Sequence, residues 1–227
     1  MSLRLLLFDV DGTLAETEEG HRAAWNATFA HFGFDWHWDF NTYRDLLQIA
    51  GGAERLRHFA PADMSDETIR AMHRAKNARY REAMAAGEIG LRPGVRQLID
   101  AARARDVALG IATTTSRGNV EALIEGTLGR AALGWFSVIA CAEDAPEKKP
   151  DPQVYRVALA RLGIEGADAW AVEDSRNGII AAVAAGIRVV LTPSLYMAGD
   201  DPRGAALVLD DLAAVAPEEL LDQLGAG

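Results

Sequence analysis

The chain has 227 residues, of which 49% are hydrophobic and 25% charged, so it can bury a sizeable core and a disordered chain is excluded. Its formal net charge of -10 argues against nucleic acid and anionic membranes as partners, because an acidic surface repels phosphate groups. Cys141 is the only cysteine, which excludes an intrachain disulfide and a cysteine-rich metal site. The length indicates one large domain, or a domain that carries an insertion.

Short apolar runs alternate with amphipathic segments along most of the chain. The runs predict strands over residues 3–8, 107–113, 135–140, 169–172, 187–191 and 206–209. Amphipathic patterns predict helices over residues 94–105, 119–124, 154–162, 178–185 and 212–224. Apolar strands with helices between them are typical of a doubly wound parallel α/β sheet, whose active site lies beyond the carboxyl ends of the strands.

One long stretch after the first predicted strand breaks this alternation. Its pattern indicates helices over residues 19–32, 42–49, 53–59 and 66–86, without a convincing strand. Polar residues precede the stretch and a segment rich in glycine and proline follows it, so both connections have the composition of hinges. We therefore predict a Rossmann-like core formed by residues 1–16 and 89–227, with residues 17–88 inserted as an all-helical cap domain that acts as a lid.

A pair of aspartates, Asp9 and Asp11, directly follows the first predicted strand. Carboxylates at the end of a buried strand are costly unless a cation or a reaction uses them. Gly12 allows a sharp turn beside the pair, and Thr13 adds a hydroxyl that fixes the turn. An EF-hand loop is excluded because the sixth and twelfth residues from Asp9 are not Gly and Glu. A plain strand-to-loop turn is the remaining structural explanation.

Three further polar groups follow later strands of the predicted sheet. Hydroxyl residues 113–116 end the second strand, where they and the helical N–H groups after them form a cradle for an anion. Lys149 follows the third strand in a loop stiffened by Pro150, and Glu173 and Asp174 end the fourth. Helix capping and solvation explain each group singly. The ordered set is more specific than any of its members.

This ordered set resembles the motifs of the haloacid dehalogenase (HAD) superfamily of phosphoryl-transfer enzymes over essentially the whole chain. The inserted helices resemble the cap of the subgroup with β-phosphoglucomutase and phosphoglycolate phosphatase. The resemblance implies that Asp9 is the nucleophile and that Asp11 is the general acid and then the general base. Thr113 and the Thr114 backbone would bind the transferring phosphoryl group, and Lys149 would reduce its repulsion from the nucleophile.

The same resemblance implies Mg²⁺ as the cofactor, which suits hard oxygen ligands. Asp9, the backbone carbonyl of Asp11 and Asp174 would hold the ion, and Glu173 would orient this shell rather than react. General acid catalysis requires a proton on Asp11, and we expect the neighbouring anion to raise its pKa.

The cap sequence most resembles the CbbY-like branch, whose activity is removal of the 1-phosphate from xylulose-1,5-bisphosphate. By that resemblance the residues expected to bind substrate are Glu18, Tyr43, Gly51, Gly52, His73, Arg74, Lys76, Thr114 and Thr115. Arg74 is expected to bind the distal phosphate, because a guanidinium fork fits phosphate oxygens. The chain departs from the branch at Ala53, where a lysine is usual, so a monophosphate substrate remains open. Arg55 and Arg57 are candidates to replace that lysine.

Three other classes of function can be compared with the phosphatase. A hexose-phosphate mutase of the β-phosphoglucomutase type uses the same catalytic set, and His21, Lys76 and Asn77 are similar to positions used there. The mutase differs in whether the closed cap admits water to the aspartyl phosphate. A phospho-aspartate receiver is disfavoured, because its acidic residue follows the third strand and it has no helical insertion. A dehalogenase is disfavoured because its first motif lacks the second aspartate.

The apolar run at the N-terminus is too short for a signal peptide or a membrane span. We therefore expect a cytoplasmic protein. No long exposed apolar face is apparent in the sequence, so we expect a monomer.

Overall fold

A six-stranded parallel β-sheet organises the computed structural model, which describes residues 3–49 and 51–226. Its strands are β1 (Leu5–Phe8), β2 (Ala108–Ala112), β3 (Phe136–Ala140), β4 (Ala169–Glu173), β5 (Arg188–Leu191) and β6 (Leu207–Val208). They lie in the order β3-β2-β1-β4-β5-β6, and every neighbouring pair is parallel. The predicted doubly wound α/β sheet is confirmed, and each strand falls within a residue of its predicted range or inside it.

The described residues form nine α-helices, five of which lie between β1 and β2, and the first four of these fall in the stretch predicted as the cap. These four are α1 (Glu18–His31), α2 (Phe40–Leu46), α3 (Gly52–Phe59) and α4 (Asp66–Ala85). The others are α5 (Val95–Ala104), α6 (Arg117–Thr127), α7 (Gln153–Leu162), α8 (Arg176–Ala184) and α9 (Pro217–Ala226). Within the described parts of the chain, none of the helices is both long enough and apolar enough to cross a membrane.

Local sequence signals fix several helix ends. Asp39 accepts the N–H of Thr42 at 2.7 Å before α2, and Ser65 accepts the N–H of Thr68 at 3.1 Å before α4. These caps satisfy N–H groups that have no partner inside the helix. Gly163 ends α7 in the left-handed conformation that favours glycine.

The single helix predicted over residues 212–224 is wrong. The structure has a short 3₁₀ turn at Leu212–Ala214, and α9 begins only at Pro217. Proline lacks the N–H that a helix interior requires, but the first turn of a helix tolerates it. Pro217 therefore starts a new helix instead of continuing the first turn.

Both faces of the sheet are covered. Side chains alternate along a strand, so Leu6 and Phe8 of β1 pack against α5, α6 and α9, while Leu5 and Leu7 pack against α7 and α8. All four side chains are fully buried. Burial on both faces explains why β1 is a continuous apolar run rather than an alternating one.

Helices α1–α4 surround a separate apolar cluster, and no strand interrupts them among the residues described between β1 and β2. This aromatic cluster, which we call the cap cluster, includes Trp25, Phe29, Trp38, Tyr43 and Leu56. We propose that these helices form the cap domain with the boundaries predicted from the sequence. The two connections meet, since Ala15 bridges Leu91 in antiparallel fashion.

Arg92 lies in the second connection between core and cap, and it binds loops at the carboxyl edge of the sheet. Its buried guanidinium donates to the carbonyl of Gly12, to that of Thr192 at 2.7 Å and to that of Pro193 at 2.8 Å. It also pairs with Glu16 of the first connection at 3.1 Å. One side chain therefore holds together both connections and two loops at the carboxyl edge of the sheet.

The loop after β5 reaches from the core into the cap cluster. Tyr196 is only 2% exposed, its ring lies 4.4 Å from that of Phe40, and its hydroxyl donates to Glu19 of α1. Met197 is also buried in the cap cluster. The apolar core of the cap is thus completed by residues that lie outside it in sequence.

We expect Tyr196→Ala to lower the free energy of unfolding by about 3–5 kcal/mol, as truncation of a buried aromatic side chain does. Leu195→Ala is the matched control, because Leu195 is 61% exposed and its truncation should change stability by less than about 0.5 kcal/mol. Urea denaturation followed by tryptophan fluorescence measures both. Equal losses in the two variants would contradict the role of Tyr196 in the cap cluster.

Candidate active site

A cleft of about 420 Å³ lies at the carboxyl edge of the sheet, between the core and the cap helices. In the sheet, β1 lies beside β4, and the order in which successive strands are added reverses between them. Doubly wound folds bind ligands at this switch point. Asp9 follows β1 and Asp174 follows β4, and both line the cleft. The N–H of Asp9 donates to the carbonyl of Val172 at 3.1 Å, so the sheet itself positions this carboxylate.

Lys149 is a buried cation at the floor of this site. Its ammonium donates to Asp9 Oδ1 at 2.5 Å, to Glu173 Oε1 at 2.7 Å and to the carbonyl of Ala112 at 2.9 Å. Burial alone would lower the pKa of Lys149, but the two carboxylates outweigh it and raise the pKa above its usual value. Tyr155 donates a hydrogen bond to Glu173 as well, so Glu173 is held on one side of Lys149.

The carboxylates outnumber this cation. Asp9, Glu173 and Asp174 each offer an oxygen within 4.8 Å of the others, and all three residues are buried. Burial raises the pKa of Asp9 to about 7, and burial together with Asp9 and Glu173 raises that of Asp174 well above its usual range. Hard oxygen donors with surplus negative charge fit a divalent cation such as Mg²⁺. Lys149 binds one oxygen of Asp9, so the other Asp9 oxygen and the Asp174 carboxylate are the groups that could hold a metal ion.

Gly12 makes room for this cluster. It has a φ of 80°, and a β-carbon there would overlap the Asp174 carboxylate. The turn is fixed by backbone bonds, from Gly12 N to Ala15 O at 2.9 Å and from Thr13 N to Val10 O at 3.2 Å. The Thr13 hydroxyl is buried without a hydrogen-bond partner among the described residues, so the expectation that it fixes the turn is wrong.

Asp11 is bound by the cap. Thr17 donates to Asp11 Oδ1 at 2.6 Å and His21 Nε2 lies 3.1 Å from the same oxygen. Lys76 Nζ lies 2.7 Å from His21 Nδ1, and burial lowers the pKa of Lys76 to about 7. A lysine that donates to Nδ1 leaves the proton of His21 on Nε2, where it donates to Asp11. Lys76, His21 and Asp11 thus form a hydrogen-bonded chain from α4 through α1 to the edge of the sheet.

The pKa of Asp11 differs from the sequence expectation. Burial favours a raised pKa, but the interactions with His21 and Thr17 outweigh it and hold the pKa well below its usual range. The prediction that the neighbouring anion raises this pKa is therefore wrong, because the hydrogen bonds from Thr17 and His21 lower it.

The hydroxyl residues predicted as an anion cradle meet in the same cleft. Thr113, Thr114, Thr115 and Ser116 all line it. The N–H of Thr115 donates to the Thr113 hydroxyl at 3.2 Å, and Asn119 donates to the Thr115 hydroxyl at 3.1 Å. These bonds fix the acceptor sides of both hydroxyls, so each can donate its own proton into the cleft.

The cap contributes five of its predicted substrate residues to the lining of the cleft: Glu18, Gly51, Gly52, His73 and Lys76. Tyr43 is fully buried and donates to Glu18 Oε2 at 2.8 Å, so it supports a lining residue instead of lining the cleft. Arg74 is exposed and is not part of the lining. The structure therefore does not bring Arg74 to the site.

The two arginines considered as replacements for a lysine at Ala53 have structural partners. Arg55 donates to the carbonyl of Leu46 at 3.0 Å and to the Tyr43 hydroxyl at 3.2 Å. Arg57 donates to two backbone carbonyls, at 2.5 Å each. Arg55 borders the cleft, but its guanidinium is occupied by these acceptors.

Sequence reasoning missed several residues of the site. Thr17 binds Asp11, Tyr155 binds Glu173, and Lys148 lines the cleft, while His21, named only for its similarity to the mutase, also binds Asp11. His21 lies one helical turn after Glu18, a spacing that places both on one face of α1. For Tyr155 the sequence carries no signal, because its role depends on how α7 packs against the sheet.

Comparisons with known proteins find relatives that match nearly the whole chain. A family model described as a haloacid dehalogenase-like hydrolase matches residues 3–186. Protein CbbY of Rhodobacter capsulatus is 50% identical, over 97% of this chain and 98% of that protein. Protein CbbY of Cereibacter sphaeroides is 46% identical, over 93% of each. A crystal structure of a point mutant of CbbY from Rhodobacter sphaeroides, in complex with xylulose-(1,5)bisphosphate, superposes with a TM-score of 0.88 at 46% identity, over 93% of this chain and 95% of that one.

We predict that Mg²⁺ stabilises the protein more at about pH 8 than at about pH 5. Because the folded state raises the pKa of Asp9 and of Asp174, it retains protons that the unfolded state releases near pH 4. Without a divalent cation, these two groups make stability fall as pH rises from about 4 to about 7. Mg²⁺ binds the ionised carboxylates and offsets that loss.

The measurement is the Tm with Mg²⁺ and with EDTA at each pH. At the higher pH, Mg²⁺ at about 100 times its Kd should add about 2.7 kcal/mol to the free energy of unfolding, which is seen as a higher Tm. Asp174→Asn is the control in which the increase should be largely lost. An increase that does not depend on pH would contradict the assignment of these carboxylates.

Proposed function

Because this chain belongs to the haloacid dehalogenase-like hydrolase family and is a phosphatase, we propose that it hydrolyses a small phosphorylated sugar through an aspartyl-phosphate intermediate. One observation carries this proposal. Asp9, Lys149 and Asp174 come from three distant stretches of the chain and meet in one buried cluster at the floor of the cleft. A nucleophile, a fixed cation and a metal donor are what phosphoryl transfer requires.

The proposed substrate is xylulose-1,5-bisphosphate. Support comes from the relatives named CbbY at 46–50% identity and from the CbbY crystal structure that contains this sugar bisphosphate. The similarity covers cap and core alike, since it spans at least 93% of this chain.

Asp9 is the proposed nucleophile in the first half of the reaction. Its carboxylate attacks phosphorus, the bond from phosphorus to the sugar oxygen breaks, and a proton from Asp11 passes to that oxygen. Lys149, 2.5 Å from Asp9, lowers the repulsion between the carboxylate and the phosphate anion. The Thr113 hydroxyl and the Thr114 N–H are the proposed donors to the phosphoryl oxygens.

Asp11 acts as general base in the second half. It takes a proton from water as the water oxygen attacks phosphorus, and Asp9 leaves as a free carboxylate with release of inorganic phosphate. The bonds from Thr17 and His21 that lower the pKa of Asp11 suit this half, because they keep it ionised. The negative charge of a bound phosphate acts in the opposite direction and favours the protonated acid of the first half.

Mg²⁺ is the proposed cofactor, held by Asp9, Asp174 and the backbone carbonyl of Asp11. When bound, the ion neutralises charge on the phosphate oxygens. Glu173 has a supporting role, since both of its hydrogen-bond donors at Oε1, Lys149 and Tyr155, fix its position beside the metal donors.

We expect Asp9→Asn to lower kcat by more than about 10³-fold, because it removes the nucleophile while nearly preserving shape. The measurement is phosphate release from xylulose-1,5-bisphosphate with Mg²⁺, alongside circular dichroism to verify the fold. Asp100→Asn is the matched control, since Asp100 is exposed on α5 and, among the residues that the structure describes, pairs with Arg96 and Arg103 of the same helix. Substantial residual turnover in a folded Asp9→Asn variant would exclude the covalent mechanism.

The product separates the phosphatase from the mutase. We expect release of inorganic phosphate from sugar phosphates, in reactions that EDTA stops. Conversion of β-glucose 1-phosphate into glucose 6-phosphate without net phosphate release would instead identify a mutase.

A further inference from the structure

The cations that line the cleft differ in how firmly they are engaged. Among the described residues they are Arg55, Lys76, Lys148, Lys149 and Arg176. Lys149 is buried between two carboxylates, Lys76 is buried against a histidine, and Arg55 is held by carbonyls and a tyrosine hydroxyl. Arg176 donates to the backbone carbonyl of Arg203. Lys149, Lys76 and Arg55 are thus occupied by buried groups of the protein that a ligand does not easily replace, and Arg176 begins α8 two residues after Asp174, at the floor of the cleft.

Lys148 is different, because its partner is a solvent-accessible carboxylate. Its ammonium pairs with Glu54 of α3, across the cleft from the loop after β3. The side chains of Lys148 and Glu54 are 26% and 52% exposed. An exposed pair of this kind contributes only about 0–1 kcal/mol, so an incoming anion can take the place of Glu54 at little cost.

The position of this pair is defined by the start of α3. A β-carbon at Gly51 would collide with both the Lys148 ammonium and the Glu54 carboxylate, so the pair lies directly against the backbone there. Ala53 lies in the same part of the lining and brings no charge. Lys148 therefore supplies positive charge to this wall of the cleft from the core side.

Lys148 is also well separated in function from the reacting end. Its neighbour Lys149 points to Asp9, whereas Lys148 points to the cap, so adjacent residues of one loop serve opposite ends of the cleft. A phosphate dianion offers more charge and more acceptor oxygens than the carboxylate of Glu54. In a protein of net charge -10, such a ligand needs a local cation that is free to bind it.

We infer that Lys148 leaves Glu54 to bind the non-reacting phosphate of a sugar bisphosphate, and that it thereby determines a preference for bisphosphates over monophosphates. This inference rests on the proposed function, because it assigns the second charged group of the same substrate. It moves the distal-phosphate role from Arg74, which is exposed and outside the lining of the cleft, to a residue of the core.

The experiment compares Lys148→Met, Glu54→Gln and Arg74→Met. Xylulose 1,5-bisphosphate and xylulose 1-phosphate are each used to inhibit hydrolysis of p-nitrophenyl phosphate, and their inhibition constants are compared. Loss of one charge-assisted hydrogen bond should weaken the bisphosphate about 10- to 100-fold more than the monophosphate in Lys148→Met. Glu54→Gln breaks the same ion pair from the other side, and we expect bisphosphate binding to be equal or tighter. Lys148→Arg should restore most of the preference.

Three results would overturn the inference. If Lys148→Met weakens the binding of both ligands equally, or if Glu54→Gln causes the same loss of bisphosphate binding, the ion pair only holds the cap against the core. A selective loss in Arg74→Met but not in Lys148→Met would assign the distal phosphate to Arg74.

Failure of the proposed function has a separate signature, which is the absence of metal-dependent phosphate release from every sugar phosphate. Calorimetric binding of the two xylulose phosphates to Asp9→Asn, with and without Lys148→Met, decides the inference without turnover. A 10-fold or larger selective loss supports Lys148 in that case. Equal affinities for the two ligands in the Asp9→Asn parent would refute it.

Discussion

The site depends on the ion pairs that the Lys149 ammonium makes with Asp9 and Glu173. The ammonium is buried between Asp9 and Glu173, and it offsets only part of the negative charge that β1 and β4 deliver to the carboxyl edge of the sheet. A buried charge with no partner is strongly destabilising, so the surplus carboxylates require a second cation or bound protons. The raised pKa of Asp174 expresses this imbalance. The same surplus makes the floor of the cleft suitable for a metal ion and for the phosphate that the ion attracts.

The cap does more than cover this floor, because it sets the protonation of Asp11. Thr17 and His21 hold the Asp11 carboxylate, and Lys76 fixes the tautomer of His21 from α4. Two cap helices thus act on one carboxylate of the core. A movement of the cap that separates α1 from the sheet edge would remove these bonds and with them the cause of the low pKa. The position of the cap and the protonation of Asp11 are therefore linked by geometry.

The sequence predicted the sheet and the meeting of Asp9, Lys149 and Asp174 at the floor of the cleft, and it predicted the cap wall only in part. Asp9, Lys149 and Asp174 could be placed because they follow strands, and the carboxyl ends of parallel strands meet at one edge. Tyr43 and Arg74 lie on helices, where the face that meets the cleft depends on packing around the cap cluster. The pKa of Asp11 could not be inferred either, since it depends on contacts with residues of α1 whose orientation the sequence does not state. The helix predicted from periodicity over residues 212–224 is interrupted before Pro217, because proline has no N–H to donate inside a helix.

The loop that carries Tyr196 and Met197 has a consequence for how this architecture diversifies. Because these side chains complete the cap cluster from outside the inserted segment, the insertion is not an independent module. In a chimera with residues 17–88 from a distant homologue, Tyr196 and Met197 would pack against cap side chains that differ from their own. An exchange of caps that leaves the loop after β5 behind therefore loses this packing, and a transplant that keeps it must carry both segments.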